Sequence, residues 1–133
     1  MEIVEGLPPN IELIKTRFPV NGYTVYAYGD KIYSPQGKDL RPDLIYHENV
    51  HRKQQAGDPE GWWARYLTDI EFRLEQELEA YYEQWQWIKE HTNDKIGKQA
   101  LGDFARQLAS PLYQFEVTPH EAETMIRKYA TTD

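Results

Sequence analysis

The chain has no cysteine among its 133 residues, and this absence excludes several kinds of chemistry. Disulfide bonds, a thiolate metal site and a cysteine nucleophile all require Cys side chains. Any metal ion that this protein binds must therefore take its ligands from His, Asp and Glu side chains and from water.

Long apolar runs are absent as well. No segment approaches the roughly 18 consecutive apolar residues that a membrane-spanning helix needs. The N-terminus, MEIVEGLPPN, lacks the basic start and the apolar stretch of a secretory signal. We therefore expect a cytoplasmic protein with no membrane partner.

Positive charge is scarce, since 15 Lys and Arg residues stand against 22 Asp and Glu residues and give a formal net charge of −7. Affinity for nucleic acid comes mainly from Lys and Arg beside the phosphates, so we expect no nucleic-acid partner. A separate hypothesis for such an acidic chain is a decoy that mimics nucleic acid, in which case the histidine motif described below is accidental.

The residues that are present indicate a folded chain. Hydrophobic residues make up 40% of the sequence and aromatic residues 14%, which argues against disorder. The length suits one domain spanning residues 1–133. Pro, Gly and β-branched or aromatic residues are common before Arg41, whereas Glu, Gln, Leu and Ala dominate after it. This shift predicts an α+β fold.

The β part of the predicted fold is a short N-terminal antiparallel meander between about residues 11 and 34. Its strands are predicted at Ile11–Phe18, Tyr23–Tyr28 and Lys31–Ser34. The pairs Asn21-Gly22 and Gly29-Asp30 separate these strands, as is typical of tight turns between antiparallel strands.

The remaining chain, between about residues 42 and 130, is predicted to be mostly helical. The predicted helices run from Pro42 to Ala56, from Asp58 onward, from Thr68 to His91, from Asn93 to Ala109, and from Thr118 onward. Capping boxes, in which Thr and a Glu three residues later satisfy backbone N–H groups at a helix start, are predicted at Thr68 with Glu71 and at Thr118 with Glu121.

His47, Glu48 and His51 form an HExxH motif inside the first of these helices. Residues four apart lie one above the other on a helix, so both imidazoles can bind the same ion. Zinc lowers the pKa of a coordinated water, and Glu48 can accept the proton as that water attacks a carbonyl. The motif predicts one Zn²⁺ per chain. The alternative is a pair of partly exposed histidines on an amphipathic helix.

A tetrahedral zinc with one open position needs a third protein ligand. Apolar side chains recur every three or four residues in the helix that ends near His91, which indicates a buried stripe: Ile70, Leu74, Tyr81, Trp85 and Ile88. Glu77 falls on this stripe, and a buried carboxylate needs a cation. We therefore predict Glu77 as the third ligand. The alternative is an ion pair of Glu77 with Arg73 or Arg106.

The HExxH motif, followed by the segment Glu77-Leu78-Glu79-Ala80, resembles the gluzincin group of zinc peptidases, in particular its minimal single-domain (minigluzincin-like) members. In that group the first Glu of an ExxA segment is the third zinc ligand, which corresponds to Glu77. The resemblance covers about residues 44–82 and implies a zincin-like core and a metallopeptidase, a hydrolase acting on a peptide or protein substrate. At Tyr81 the chain departs from the group, where many relatives have an Asp that contacts a metal-binding histidine.

Peptide hydrolysis also needs a group that stabilises the developing oxyanion, commonly a Tyr or a His beside the metal. Tyr113 and His120 are the candidates for this catalytic role, although such residues more often pack or cap a helix. We further expect the substrate to pair with an edge strand of the meander by β-augmentation.

A second function class is a catalytically inactive, zinc-stabilised protein-interaction module. It would bind its partner through aromatic side chains, which at helical spacing are more often part of a core: Trp62, Trp63, Tyr66, Tyr82, Trp85 and Trp87. For either class we expect a monomer or a weak oligomer.

Overall fold

The computed structural model describes residues 2–131, and about 60% of the chain is helical. The elements follow the order β1 (Glu2–Glu5), α1 (Ile11–Ile14), β2 (Tyr26–Tyr28), β3 (Lys31–Ser34), α2 (Pro42–Gln55), α3 (Pro59–Thr68), α4 (Ile70–His91), α5 (Asp94–Leu108), α6 (Pro119–Lys128) and a final 3-10 turn at Tyr129–Thr131. A small three-stranded sheet near the N-terminus, with helices after it, confirms the predicted α+β fold. Within residues 2–131, no helix has both the length and the apolar character that crossing a membrane requires.

The chain divides into two compact units, Met1–Asp69 and Ile70–Asp133. The first unit contains the sheet and α1 to α3, and the second contains α4 to α6. The assignment of residues 1–133 to one domain stays a prediction.

β3 is the central strand of the sheet, with β1 on one side and β2 on the other. β2 and β3 form an antiparallel hairpin in which Tyr28 lies opposite Lys31, and Gly29 and Asp30 make the predicted turn. Gly29 has a φ of 64°, a conformation that Gly adopts without steric cost.

β1 runs parallel to β3, with Glu2 opposite Lys31. The prediction of a wholly antiparallel meander is therefore wrong.

The segment Ile11–Phe18, predicted as a strand, forms the short helix α1 followed by a turn. Ile11, Ile14 and Phe18 lie three and four residues apart, which is the spacing of one helical face and not the alternation of a strand. Ile14 is 1% exposed, so this face is anchored in the core of the first unit.

The strand predicted at Tyr23–Tyr28 is shorter in the structure, and β1 was not predicted. The Asn21 side chain accepts hydrogen bonds from the backbone N–H groups of Tyr23 and Thr24, which holds a turn before β2. The four residues of β1, Glu2–Glu5, do not alternate between polar and apolar side chains, so the period-2 pattern of a strand does not reveal it.

α2 begins and ends close to its predicted positions, and α3 begins close to its predicted start. Pro42 lies in the first turn of α2, and Ala56 ends the helix in the left-handed conformation with a φ of 49°. Asp58 caps α3 by accepting a hydrogen bond from the backbone N–H of Gly61 at 3.0 Å. The buried apolar residues of the first unit include Ile14, Tyr26, Ala27, Ile32, Val50, Trp62, Trp63, Tyr66 and Leu67.

In the second unit, α4, α5 and α6 pack around a cluster of buried residues: Tyr81, Ile88, Leu101, Phe104, Ala105, Leu108, Ala122 and Ile126. The Asn93 side chain caps α5 by accepting a hydrogen bond from the backbone N–H of Ile96. Thr118 and Glu121 form the predicted capping box at the start of α6. Two of the helix starts read from the sequence are thus confirmed here.

The capping box predicted at Thr68 and Glu71 is wrong. Thr68 is the last residue of α3, and its hydroxyl donates a hydrogen bond to the carbonyl of Ala64 at 2.8 Å. α4 begins at Ile70. The Thr68 hydroxyl therefore forms a hydrogen bond within α3 and does not cap α4.

Candidate metal centre

The buried face of α2 carries more polar than apolar side chains, which is unusual for a helix packed on a core. Its buried residues are His47, Glu48, Val50, His51 and Gln55. Buried polar groups need hydrogen bonds, ion pairs or a metal ion as partners. This face is therefore a candidate functional site.

His47 and His51 lie one helical turn apart, and each is 5% exposed. Their ring centroids are 4.9 Å apart with an angle of 78° between the rings. The alternative that these histidines are partly exposed surface residues is therefore wrong. Two neighbouring buried imidazoles provide two nitrogen donors of the type that transition metals bind.

Glu48 is also buried, with 7% exposure. Its Oε2 lies 4.0 Å from Nε2 of His47, which is too far for a hydrogen bond. A carboxylate in this position can take a proton from a molecule held beside His47.

The His51 ring is held on several sides by residues of the first unit. Its Nδ1 lies 2.8 Å from Oε1 of Gln54, one turn further along α2. The ring centroid lies 5.3 Å from that of Trp62 and 6.4 Å from that of Tyr66, both on α3. These contacts restrict rotation of the ring, which favours a fixed direction for its second nitrogen.

Most of the aromatic side chains considered for a binding surface are part of a core. Trp62, Trp63 and Tyr66 are each at most 7% exposed, and the Trp62 and Tyr66 rings stack 4.9 Å apart. In the second unit, half-buried aromatic side chains pack against the buried cluster, among them Tyr82, Trp85 and Trp87. The core interpretation is confirmed for the three aromatics of α3.

Gln55 fixes the C-terminal end of α2 to the sheet. Its side-chain nitrogen donates to the carbonyl of Ala27 at 2.8 Å, and its oxygen accepts from the backbone N–H of Gly29 at 2.7 Å. Nε1 of Trp63 donates to the same Ala27 carbonyl at 2.9 Å, and Nε of Arg52 donates to the carbonyl of Gly29. The helix that carries the histidines is thus anchored to β2 by side-chain hydrogen bonds.

These bonds have a consequence for the expected pairing of a peptide with an edge strand. β2 is an edge strand, and side chains already bind the carbonyl of Ala27 within it and the backbone N–H of Gly29 just after it. A peptide could pair with β2 there only by displacing Gln55. The structure therefore argues against β-augmentation at this part of the sheet.

Glu77 lies on the buried face of α4 and is 3% exposed. The other buried residues of this helix are Arg73, Ala80, Tyr81, Gln84 and Ile88. The prediction that Glu77 lies on the buried face of this helix is confirmed. The prediction of an apolar stripe around it is only partly confirmed, because Ile70 is 41% exposed and Leu74 is half-buried. The largest fully buried side chain of α4 is the charged Arg73, at 0% exposure.

Both arginines proposed as alternative partners of Glu77 make contacts elsewhere in the second unit. An NH1 group of Arg73 donates to the carbonyl of Tyr113 at 2.9 Å. Arg106 forms an ion pair with Asp103 on the exposed side of α5. The structure gives no Glu77 contact for Arg106.

The ligand atoms of His47, His51 and Glu77 all lie within 4.8 Å of one another, and all three residues are buried. This group could hold a metal ion, which bears out the predicted cofactor in part. No second group of this kind occurs in the part of the chain that the structure describes.

Tyr113 and His120, the candidates for oxyanion stabilisation, are both in the second unit. The Tyr113 ring is half-buried and stacks on Phe115 with centroids 5.2 Å apart. His120 is exposed in the first turn of α6. Their catalytic role stays a prediction.

Tyr81, where the resemblance expected an Asp, is a buried residue of the second unit. Its ring lies 5.0 Å from that of Phe104, and its hydroxyl lies 3.5 Å from Oε1 of Gln107. A hydrogen bond of that length is weak. The contacts of Tyr81 with Phe104 and Gln107 are those of a core residue.

Two residues of functional interest were not found from the sequence. Gln55 gave no signal, because an amide at a helix end is usually exposed. Arg73 was considered only as an ion-pair partner of Glu77, although its position four residues before Glu77 places it on the same buried face.

Comparisons of the chain with protein-family models, with curated proteins and with solved structures found no match. The function is therefore argued from the site itself.

Proposed function

We propose that this protein is a zinc-dependent metallopeptidase of the gluzincin type, in which His47, His51 and Glu77 hold one zinc ion and Glu48 is the general base. The observation that carries the proposal is the buried group of two imidazoles and one carboxylate with mutual distances within 4.8 Å. Glu48 adds a second carboxylate 4.0 Å from Nε2 of His47.

The donor set favours zinc. Imidazole and carboxylate ligands suit zinc, whereas calcium and magnesium prefer oxygen ligands alone. The same set of two imidazoles and one carboxylate also occurs in non-haem iron(II) sites. A further carboxylate placed to accept a proton suits hydrolysis, which supports zinc over iron here.

Zinc, when bound, supplies a Lewis acid that lowers the pKa of water and polarises a carbonyl. The chain's own residues then have separate tasks. Glu48 accepts the proton of the attacking water and returns it to the leaving amine. The Gln55 bonds to Ala27 and Gly29 keep α2, and with it Glu48, in one position. A peptide or protein substrate and a cytoplasmic setting belong to the same proposal.

Replacing Glu48 tests the enzymatic assignment. Glu48→Gln should fold and keep zinc, because Glu48 is assigned to proton transfer and not to ligation. Cleavage of a peptide library should be slower by roughly a hundredfold to ten-thousandfold. Glu12→Gln is the matched control, since Glu12 is exposed on α1, and it should cleave at the parent rate. Equal rates in Glu48→Gln and the parent would show that Glu48 is not the base.

The competing function is a zinc-stabilised module that binds a partner protein without catalysis. Such a module would contain zinc but cleave no peptide, and Glu48→Gln would leave partner binding unchanged. Metal analysis of the purified protein followed by the cleavage assay separates the two. Iron in place of zinc, or no transition metal after reconstitution, would contradict both.

A further inference from the structure

The side chain of Gln54 makes a contact with His51 that bears on how the metal is bound. Oε1 of Gln54 lies 2.8 Å from Nδ1 of His51, a full-strength hydrogen-bond distance. A side-chain amide oxygen can only accept a hydrogen bond. With the amide oxygen in this orientation, the ring nitrogen that faces it is the hydrogen-bond donor and carries the proton.

A neutral imidazole has one N–H group and one nitrogen with a free electron pair, and only the latter can bind a metal ion. With the proton on Nδ1, the electron pair is on Nε2. We propose that Gln54 is a positioning residue that fixes His51 as the Nδ1–H tautomer and thereby leaves Nε2 to bind the metal. The metal-binding part of this inference rests on the proposed function, whereas the tautomer does not.

The position of Gln54 suits this role. It lies three residues after His51 on α2, where side chains on the same face meet, and it is half-buried. Trp62 and Tyr66 restrict the other sides of the His51 ring, with centroids 5.3 Å and 6.4 Å away. Because the ring is already confined, the single acceptor on Gln54 can fix both its tautomer and its direction.

Hydrogen bonds to the second nitrogen of metal-binding histidines commonly change metal affinity by about 10–100-fold when they are removed. Gln54→Leu removes the acceptor while keeping a side chain of similar size and helix propensity. Gln54→Glu retains an oxygen acceptor and should restore the effect. Lys53→Leu is the matched control, because Lys53 is exposed in the same turn of α2.

The experiment has two readouts. Nitrogen NMR of the metal-free protein, at a pH where histidine is neutral, shows which ring nitrogen carries the proton. The signals of the His51 ring are identified by their absence from the spectrum of His51→Gln. Competition with a chromophoric chelator measures zinc affinity. We expect an Nδ1–H tautomer in the parent, Gln54→Glu and Lys53→Leu, and a shift toward Nε2–H in Gln54→Leu. Zinc affinity should fall about 10–100-fold in Gln54→Leu alone.

The outcomes are distinct. A proton on Nε2 of His51 in the parent would overturn the inference, because the Gln54 amide would then be turned to donate. An unchanged tautomer or an unchanged zinc affinity in Gln54→Leu would overturn the positioning role. If the parent binds no zinc at all, the proposed function fails, while the tautomer result still stands on its own.

Discussion

Glu75, Glu77 and Glu79 on α4 are chemically identical side chains with different surroundings. Glu77 is 3% exposed, whereas Glu75 is exposed and Glu79 is half-buried. Residues two positions apart on a helix point about 200° apart around its axis, so one phase of this glutamate run is buried and the next is not. At the residue scale, helix phase decides which carboxylate is available as a ligand.

Glu77→Ala should weaken zinc binding by more than about a hundredfold, because losing a ligand costs more than losing a hydrogen bond to one. Glu75→Ala should be nearly neutral, with a change in the free energy of unfolding within about 0.5 kcal/mol. Glu79→Ala should likewise keep zinc. Zinc titrations of the three variants measure these differences. Loss of zinc in Glu75→Ala with retention in Glu77→Ala would mean that the third ligand is misassigned.

At the scale of the elements, two threonines predicted to open helices have different roles. Thr118 and Glu121 form a complete capping box on α6, whereas Thr68 ends α3 and bonds only to a carbonyl. The hydrogen bonds from the Thr118 backbone and side chain hold the pKa of Glu121 below its ordinary value of 4.5. Stability from this cap is therefore present above pH 4.5 and is lost as the pH falls through the lower folded-state pKa.

Thr118→Ala should lower the free energy of unfolding by about 1 kcal/mol, the usual loss for an N-cap threonine. Thr68→Ala should change it by less than about 0.5 kcal/mol. Urea denaturation at neutral pH measures both, and an NMR titration should show the Glu121 pKa rising in Thr118→Ala. Equal effects of the two substitutions would contradict the assigned caps.

For the whole molecule, a metal ion that binds only the folded chain must stabilise it. At free zinc about a hundredfold above its dissociation constant, the gain is about 2.7 kcal/mol, and the midpoint of thermal unfolding should rise by several degrees. Removal of zinc with a chelator should reverse the rise. His51→Ala should abolish the zinc effect, because one of the ligands is missing.

Thermal unfolding scans with and without zinc test this prediction. Tryptophan fluorescence gives a second signal, because the ring centroid of Trp62 lies 5.3 Å from that of His51. Trp62→Phe should remove the zinc-dependent part of the emission, whereas Trp87→Phe should keep it. If zinc does not change the unfolding temperature of the parent protein, the folded chain has no metal site.

The sequence by itself determined the features whose physics is local. The bounds of α2, the capping box of Thr118 with Glu121 and the burial phase of Glu77 follow from contacts within one or two helical turns. The placement of His47 and His51 on one face follows from the same spacing. Such contacts depend on neighbouring residues, so a short stretch of sequence contains the information for them.

Only the tertiary structure decided the features that join distant parts of the chain. The parallel pairing of β1 with β3 depends on which strand lies beside it, and Gln55 reaches the Ala27 carbonyl across 28 residues of sequence. α1 is a helix because the core of its unit accepts Ile14 from a helical face. These outcomes come from burial and long-range hydrogen bonding, whose free energies depend on residues far away in the sequence and override weak local preferences.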